Sequence, residues 1–305
     1  MLAPTPLDAR ALRLQFDRRA ARFESADFLL REIERRALER LDYVRIEPAD
    51  LLDVGCGLGH GAAALAARYP RAAVVAVDAS PAMAARCAAR IGRRPGAAAQ
   101  LARLLGAAAR RGGAARPACA LAADGHALPF ADARFDLLWS NCALHWMVDP
   151  IAALAEWRRV LRPRALVMFT AFGVDTLREL RAAGAPTMTF PDLHDLGDAL
   201  VAAGFSEPVM DMELVTLTYA TPERLIEDVR ALGGDARAGR ARGLAGRGRL
   251  AQARSAIESL RAPGSDGRIA LSFEIVYGHA WVPESARLPA GYAPIGFVRR
   301  RPRAD

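Results

Sequence analysis

A glycine-rich turn between a short apolar strand and a helix restricts the possible folds more than any other feature of this chain. Residues 51–54 predict a buried strand, and glycines follow at alternate positions: Gly55, Gly57 and Gly59. Glycine tolerates positive φ angles and lets a ligand approach the backbone closely. The N–H groups that open the next predicted helix, residues 60–69, can bind an anionic group. The turn therefore predicts a ligand site at the end of this strand.

The spacing of the glycines discriminates between possible ligands. A dinucleotide-binding fingerprint has its third glycine at the position that His60 occupies, whereas the third glycine of this chain is Gly59. No Lys-Ser or Lys-Thr pair follows the turn, which excludes a phosphate-binding P-loop.

Strands and helices alternate after the turn. Further strands are predicted at 73–77, 119–122, 135–140 and 166–171, with a helix starting at Ser80-Pro81 and another at 151–161. The second half adds a helix at 193–203, a strand at 212–219, a helix starting at Thr221-Pro222 and a strand at 269–281. This order predicts an α/β fold, a Rossmann-like and mostly parallel sheet of about seven strands with helices on both faces.

Acidic residues end the second and third predicted strands. Asp78 lies one strand–helix–strand unit after the glycines, where a carboxylate can accept both hydroxyls of a ribose. Asp124, followed by Gly125, is placed to reach an adenine edge. Each acid also has a simpler interpretation: Asp78 as a charge at a helix N-terminus, and Asp124 as a loop acid. Their occurrence at successive strand ends favours the binding site.

The fourth predicted strand ends in a polar segment. Asn141 and His145 are the candidate catalytic residues there, although His145 has a simpler interpretation as a pocket wall or helix cap. No Ser-His-Asp or Cys-His set is apparent, so covalent catalysis is not expected. The four cysteines lack zinc-ligand spacing and are interpreted as reduced thiols, so no metal site is predicted.

Composition restricts location and partners. The first residues do not resemble a signal peptide, and no apolar run approaches the roughly 18 residues of a membrane helix. A cytoplasmic protein without membrane association is therefore expected. All 42 basic residues are Arg, and the formal net charge is +8. This charge suits an acidic partner, but no basic motif with interleaved aromatic residues indicates nucleic acid.

The segments described above resemble class I S-adenosylmethionine-dependent methyltransferases. The resemblance is carried by the Gly55–Gly59 turn, Asp78, Asp124 and the segment Phe135–Trp146. It implies S-adenosylmethionine as the cofactor, bound by Asp53, Gly55, Cys56, Gly57, Gly59, Asp78, Ala79, Asp124, Gly125 and Asn141.

A closer resemblance covers most of the chain and points to the malonyl-[acyl-carrier protein] O-methyltransferases of biotin synthesis. It is carried by Phe16-Asp17-Arg18, Ala20 to Phe23, Leu161-Arg162-Pro163, Phe172-Gly173, Asp175 to Leu180, His194 to Asp198, Asp211 to Glu213 and Leu217 to Tyr219. The chain departs from this family at Arg164-Ala165, where two glycines are usual, at His145, where Gln is frequent, and in a long insertion at 92–117.

This resemblance implies methylation of the free carboxylate of a malonyl thioester. It divides the chain into an N-terminal helical cap, residues 1–47, and a methyltransferase domain, residues 48–305, with insertions at about 92–117 and 222–268. The predicted substrate-binding residues are Phe16, Phe23 and Trp146, with Arg240, Arg242 and Arg247 docking an acidic acyl-carrier protein.

Two other functions remain open from the sequence. The segment Tyr277 to Trp281 also resembles a methyltransferase-like assembly factor of respiratory complex I, linked to protein arginine hydroxylation. The chain is also compatible with a methyltransferase that acts on a small phenol or quinone, in which His145 is the general base. Which Arg binds the acceptor carboxylate, the oligomeric state and the preference between carrier protein and coenzyme A are not determined at this level.

Overall fold

The computed structural model describes residues 6–92, 118–185, 187–233, 254–261 and 267–284. The strands are β1 (Asp50–Val54), β2 (Ala73–Asp78), β3 (Ala118–Ala122), β4 (Phe135–Ser140), β5 (Leu161–Phe172), β6 (Ser206–Tyr219) and β7 (Ile269–Trp281). The helices are α1 (Ala9–Arg19), α2 (Phe28–Arg40), α3 (His60–Arg68), α4 (Pro81–Ile91), α5 (Pro150–Val160), α6 (Arg178–Ala182), α7 (Leu193–Ala202) and α8 (Pro222–Ala231).

All seven strands form one sheet, in the order β3-β2-β1-β4-β5-β7-β6. Strands β1 to β5 are parallel, and β7 runs antiparallel to both β5 and β6. The strand order reverses between β1 and β4, which is the position where open α/β sheets bind ligands outside the carboxyl ends of their strands. The predicted fold class, a mostly parallel Rossmann-like sheet, is confirmed.

Apolar side chains from the helices cover both faces of the sheet. Trp157 of α5 and Leu200 of α7 pack on one face, and Leu65 of α3 packs on the other. Ile33 and Ala37 of α2 belong to the same apolar core as Leu65. The N-terminal helices therefore help to cover the face of the sheet on which α3 packs.

The sequence predicts a continuous helix over residues 7–41, and this prediction is wrong. The chain forms two helices, α1 and α2, joined by a 3₁₀ turn at Phe23–Ser25. A straight helix would separate Phe16 and Phe23 by about 10 Å, whereas their ring centroids lie 6.1 Å apart. The turn folds Phe23 inward, where it is buried with Leu58 and Met83.

Several predicted helix signals occur where they were expected. Ser80 accepts a hydrogen bond from the N–H of Met83 at the start of α4, and Pro81 is the first helical residue. Thr221 caps α8 in the same way.

The division of the chain at residue 47 remains a prediction, and most of the predicted insertion at 92–117 lies outside the described residues. None of the helices within those residues is long and apolar enough to cross a membrane.

Candidate active site

A cavity of about 840 Å³ lies at the carboxyl ends of the parallel strands, partly covered by α1 and α2. Most of the predicted site residues line it together: Phe16, Phe23, Asp53, Gly55, Cys56, Gly57, Asp78, Ala79, Asp124, Gly125, Asn141 and Trp146. Strand order explains this arrangement, because β3, β2, β1 and β4 are consecutive neighbours and present their ends along one edge.

The glycine turn has left-handed backbone at all three glycines, with φ of 76° at Gly55, 51° at Gly57 and 81° at Gly59. A Cβ at Gly57 would meet no atom within 4 Å, so this residue leaves open space for a ligand. Gly59 does not line the cavity. A Cβ there would lie 2.7 Å from the Sγ of Cys87, so this glycine permits the close packing of α3 on α4.

Asp78 connects the end of β2 to this turn. Its Oδ2 accepts a hydrogen bond of 2.9 Å from the N–H of Gly57, and its Oδ1 accepts one of 2.8 Å from the N–H of Ser80. Burial raises the pKa of the carboxyl to about 6, although these two hydrogen bonds lower it. The carboxylate is thus held by backbone donors at the cavity wall, which leaves further lone pairs for hydroxyl donors.

Asp124 and Gly125 lie at the end of β3, on the far side of Asp78. The Oδ1 of Asp124 accepts a hydrogen bond of 2.9 Å from the N–H of His126, and the His126 ring lies 2.8 Å away. Burial raises the pKa of Asp124, but the hydrogen bonds from His126 outweigh it and lower the pKa. A Cβ at Gly125 would lie 2.7 Å from the Cε of Met147, so a larger residue would displace this side chain, which lines the cavity.

Asn141 links the end of β4 to the N-terminal helices. Its Nδ2 donates a hydrogen bond of 3.0 Å to the carbonyl of Leu30 in α2, and its Oδ1 accepts one of 2.6 Å from Thr170. Both ends of the amide are therefore occupied by protein partners. In this arrangement Asn141 fixes the position of α2 over the cavity.

His145 lies behind the cavity wall and not in it. Its ring is 5% exposed and packs against Phe172 at 4.6 Å and Trp146 at 5.0 Å. Nδ1 accepts a hydrogen bond of 3.1 Å from the N–H of Phe172. Burial lowers the pKa of the imidazole to about 3, which makes it neutral at physiological pH. This placement gives no support to His145 as a general base in a phenol or quinone methyltransferase.

An aromatic wall closes the cavity on the side of α1. The Phe16 ring packs edge-on against Phe23 at 6.1 Å and against Trp146 at 5.7 Å. A Cβ at Gly233 would clash with the Trp146 ring, so the end of α8 also supports this wall. The three predicted substrate-binding aromatic residues are therefore brought together.

The structure adds charged residues that the sequence reasoning missed. Arg10 and Arg13 of α1 line the cavity, as do four residues between α1 and the start of α3: Asp27, Arg31, Glu34 and His60. A signal was present at Glu34, because it falls beside Leu30, Ile33 and Ala37 on the apolar side of α2. The many Glu and Arg residues of this helix instead resembled surface ion pairs.

The three predicted docking residues, Arg240, Arg242 and Arg247, lie outside the described residues. Their role stays a prediction. Within the residues that the structure covers, no three His, Cys, Asp or Glu side chains are grouped as metal ligands.

Comparison with known proteins agrees with this geometry. Residues 52–169 match the family described as "Methyltransferase domain". The chain is 42% identical over 307 residues to a malonyl-[acyl-carrier protein] O-methyltransferase of Methylovorus sp., with 98% of this chain and 97% of the relative covered. A protein of the same name from Laribacter hongkongensis is 43% identical, with 90% of each chain covered. The crystal structure of the YcgJ protein from Bacillus subtilis is 15% identical, has a TM-score of 0.56, and covers 82% of this chain and 99% of its own.

The fold, the glycine turn and the acids at successive strand ends define a class I S-adenosylmethionine-dependent methyltransferase. The residues present fit that cofactor, since Gly57 leaves a space that a Cβ would fill and Asp78 presents a buried carboxylate beside it. Within this class, the chain belongs to the family of malonyl-[acyl-carrier protein] O-methyltransferases.

Proposed function

We propose that this enzyme transfers a methyl group to the free carboxylate of a malonyl group held as a thioester on an acyl-carrier protein. The observation that carries the proposal is the match to relatives of that name, which covers 98% of the chain for one and 90% for another. The methyl ester would hide the charge of the malonyl end, which suits an early step of pimeloyl and biotin synthesis. A cytoplasmic setting belongs to the same proposal, because all four cysteines are free thiols.

The cofactor would be held by the residues at the strand ends. Asp78 and the N–H groups of the glycine turn would hold its ribose and amino-acid portions, and Asp124 with Gly125 would hold its adenine. When bound, S-adenosylmethionine supplies a methyl group on a positively charged sulfur, which makes that methyl electrophilic. Asn141 keeps α2 in place over this region through its hydrogen bond to Leu30.

The proposed acceptor requires no proton transfer. A malonyl carboxylate has an ordinary carboxylic acid pKa of roughly 4 and is ionised at neutral pH. The enzyme then has to remove water from the carboxylate and align it with the methyl group. An apolar wall suited to the removal of water is formed by the rings of Phe16, Phe23 and Trp146. No base is needed for this chemistry, which agrees with the position of His145 behind that wall.

Two arginines are placed to receive the acceptor's charge. Arg10 and Arg13 of α1 line the cavity on the same side as the aromatic wall. Neither forms a salt bridge with another residue in the part of the chain that the structure describes. Arginine matches a carboxylate through two parallel hydrogen bonds. We assign these residues the task of guiding the malonyl carboxylate to the cavity.

The proposal is tested by incubating the enzyme with methyl-labelled S-adenosylmethionine and malonyl-carrier protein. The expected product is a labelled carrier protein whose label is released by mild base, as for a methyl ester. Acetyl-carrier protein, which has no free carboxylate, is the matched control and should remain unlabelled. Label that resists base, or methylation of a phenol or quinone in the absence of any carrier, would contradict the proposal.

A further inference from the structure

Glu34 is a buried acid of the N-terminal helices that faces the cofactor cavity. It lies on α2, is 8% exposed, and lines the cavity. Its carboxyl group sits over Gly61 in the first turn of α3, where it leaves no room for a Cβ. The carboxyl is therefore held against the helix that follows the glycine turn.

No cation neutralises this carboxyl within the described residues. Its titratable neighbours are Asp27 two turns earlier at the start of α2, Asp53 at the end of β1 and the Cys142 thiol after β4, and the neutral Trp139 indole lies beside it. Arg31 pairs instead with Asp27 at 2.9 Å, and His60 lies 3.2 Å from the same Asp27. Burial raises the pKa of Glu34 to about 7. Interaction with the Trp139 indole lowers this pKa, and repulsion by Asp27 raises it further. An unpaired buried carboxylate is costly, so this position favours a cationic ligand.

Strand order identifies the part of the ligand that reaches Glu34. Asp124 follows β3, Asp78 ends β2, and Asp53 lies in β1, which is the order of these strands across the sheet. Glu34 lies beyond them, beside Asp53 of β1 and Trp139 of β4. If adenine lies at Asp124 and ribose at Asp78, the amino-acid end of the cofactor extends toward Glu34. That end carries an α-ammonium group.

We propose that Glu34 binds the α-ammonium group of S-adenosylmethionine as an ionised carboxylate. Glu34 lies outside the matched methyltransferase segment 52–169, so the N-terminal helices contribute a charged contact to the cofactor. The inference rests on the cofactor of the proposed function and not on its acceptor. It can therefore be tested without any acceptor.

The proposal predicts a pH-dependent affinity. Glu34 without ligand has a pKa of about 7, so below pH 7 a proton must leave before the ionised carboxylate can bind the ammonium group. Affinity should therefore fall as pH falls through 7. From pH 7.5 to 6.0 the Glu34 contribution amounts to about eightfold in Kd. Asp78, with a pKa of about 6, contributes only about twofold over this range.

The experiment is titration calorimetry of the whole protein between pH 6.0 and 7.5, below the α-amino pKa of about 7.7–8.0. The ligands are S-adenosylmethionine and 5′-methylthioadenosine, which has the same adenosine but no amino-acid end. The variants are Glu34→Gln, which keeps the shape of the side chain, and Glu39→Gln, an exposed acid on the same helix. Binding of methylthioadenosine also reports whether each variant is folded.

Wild type and Glu39→Gln should lose S-adenosylmethionine affinity steeply toward pH 6 and release a proton on binding. Glu34→Gln should bind it about tenfold or more weakly at pH 7.5, lose the roughly eightfold part of the pH effect that Glu34 contributes, and bind methylthioadenosine as wild type does. Equal weakening of both ligands by Glu34→Gln would overturn the proposal and leave Glu34 a structural residue. Unchanged affinity and unchanged pH dependence would overturn it as well.

Discussion

We expect cofactor binding to depend most on two individual residues, Asp78 and Gly57. Asp78→Ala removes a buried carboxylate and should weaken S-adenosylmethionine binding by about 1.5–3 kcal/mol, as expected for lost charge-assisted hydrogen bonds. Gly57→Val should abolish binding, because its side chain would enter the open space beside the turn. Calorimetry checks both changes. Unaltered affinity in the two variants would show that the cofactor lies elsewhere.

His145 provides a test of whether a base takes part. Its ring is neutral and lies outside the cavity, so His145→Gln should retain most of the activity on malonyl-carrier protein. The rate of the wild-type enzyme should show no acid limb attributable to this residue between pH 6 and 7. A rate loss of about a hundredfold, with such a limb present only in the wild type, would instead identify a general base.

Arg164 occupies a position that suits glycine. It has a φ of 66°, its side chain forms a loose pair of 3.4 Å with the exposed Glu284, and the related family usually has glycine there. A left-handed conformation costs a non-glycine residue roughly 1–2 kcal/mol. Arg164→Gly should therefore stabilise the protein by about 1 kcal/mol. This is less than the full relief of strain, because glycine makes the unfolded chain more flexible. Thermal and urea unfolding measure this change in stability. The control is Arg162→Gly, which should destabilise the protein because it breaks ion pairs to Asp50 and Asp136.

Among the secondary-structure elements, α1 is tied to the start of α4 by hydrogen bonds to the Asp17 side chain. Asp17 accepts a hydrogen bond of 2.5 Å from the Ser80 hydroxyl and one of 3.2 Å from the N–H of Ala82, at the start of α4. Asp17→Ala should cost about 1 kcal/mol, the usual value of such a cap, and raise the KM for S-adenosylmethionine by loosening α1. Asp42→Ala, which removes an exposed partner of Arg68, should leave that KM unchanged. If Asp17→Ala and Asp42→Ala have the same KM for S-adenosylmethionine, the Asp17 contact does not affect cofactor binding and the prediction is wrong.

The segment from Asp175 to Leu180, which carries part of the family resemblance, connects elements and does not line the cavity. Glu179 accepts hydrogen bonds from the backbone and hydroxyl of Ser272, and Thr176 exchanges hydrogen bonds with the backbone of Glu274. The segment therefore fastens the end of β5 to β7. Its resemblance to the family reflects the architecture of the sheet.

The whole molecule carries a net charge of +8, and we predict that this charge speeds encounter with the proposed carrier protein, which we expect to be acidic. Exposed charges act mainly on the rate of encounter and are screened over roughly 10 Å at 0.1 M salt. Rising salt should increase the KM for malonyl-carrier protein while the affinity for S-adenosylmethionine stays nearly constant. Replacing Arg240, Arg242 and Arg247 by Ala should have the same effect, and a short malonyl thioester should be indifferent to it. Wild-type kinetics of this variant at low salt would exclude that segment as the docking surface.

The sequence by itself determined the fold class, and it named most of the residues predicted for the cofactor site that line one cavity in the structure. Hydrophobic strands and helix caps are local signals, and parallel strands place their carboxyl ends along one edge, so Gly57, Asp78 and Asp124 could be grouped without coordinates. Proline and serine at the start of α4 fixed that helix in the same way. The two relatives of like length then gave the family.

Only the tertiary structure decided which neighbouring groups share the cavity. Spacing could not show that Gly59 packs on α4, that His145 turns behind the wall, or that the N-terminal helix breaks so that Phe23 meets Phe16. It also gave no sign that Glu34 lacks a counter-ion. Each of these facts depends on contacts between segments far apart in the chain, and the pKa of a buried group depends on all the dielectric and charge around it. Local sequence patterns contain no information about those distances.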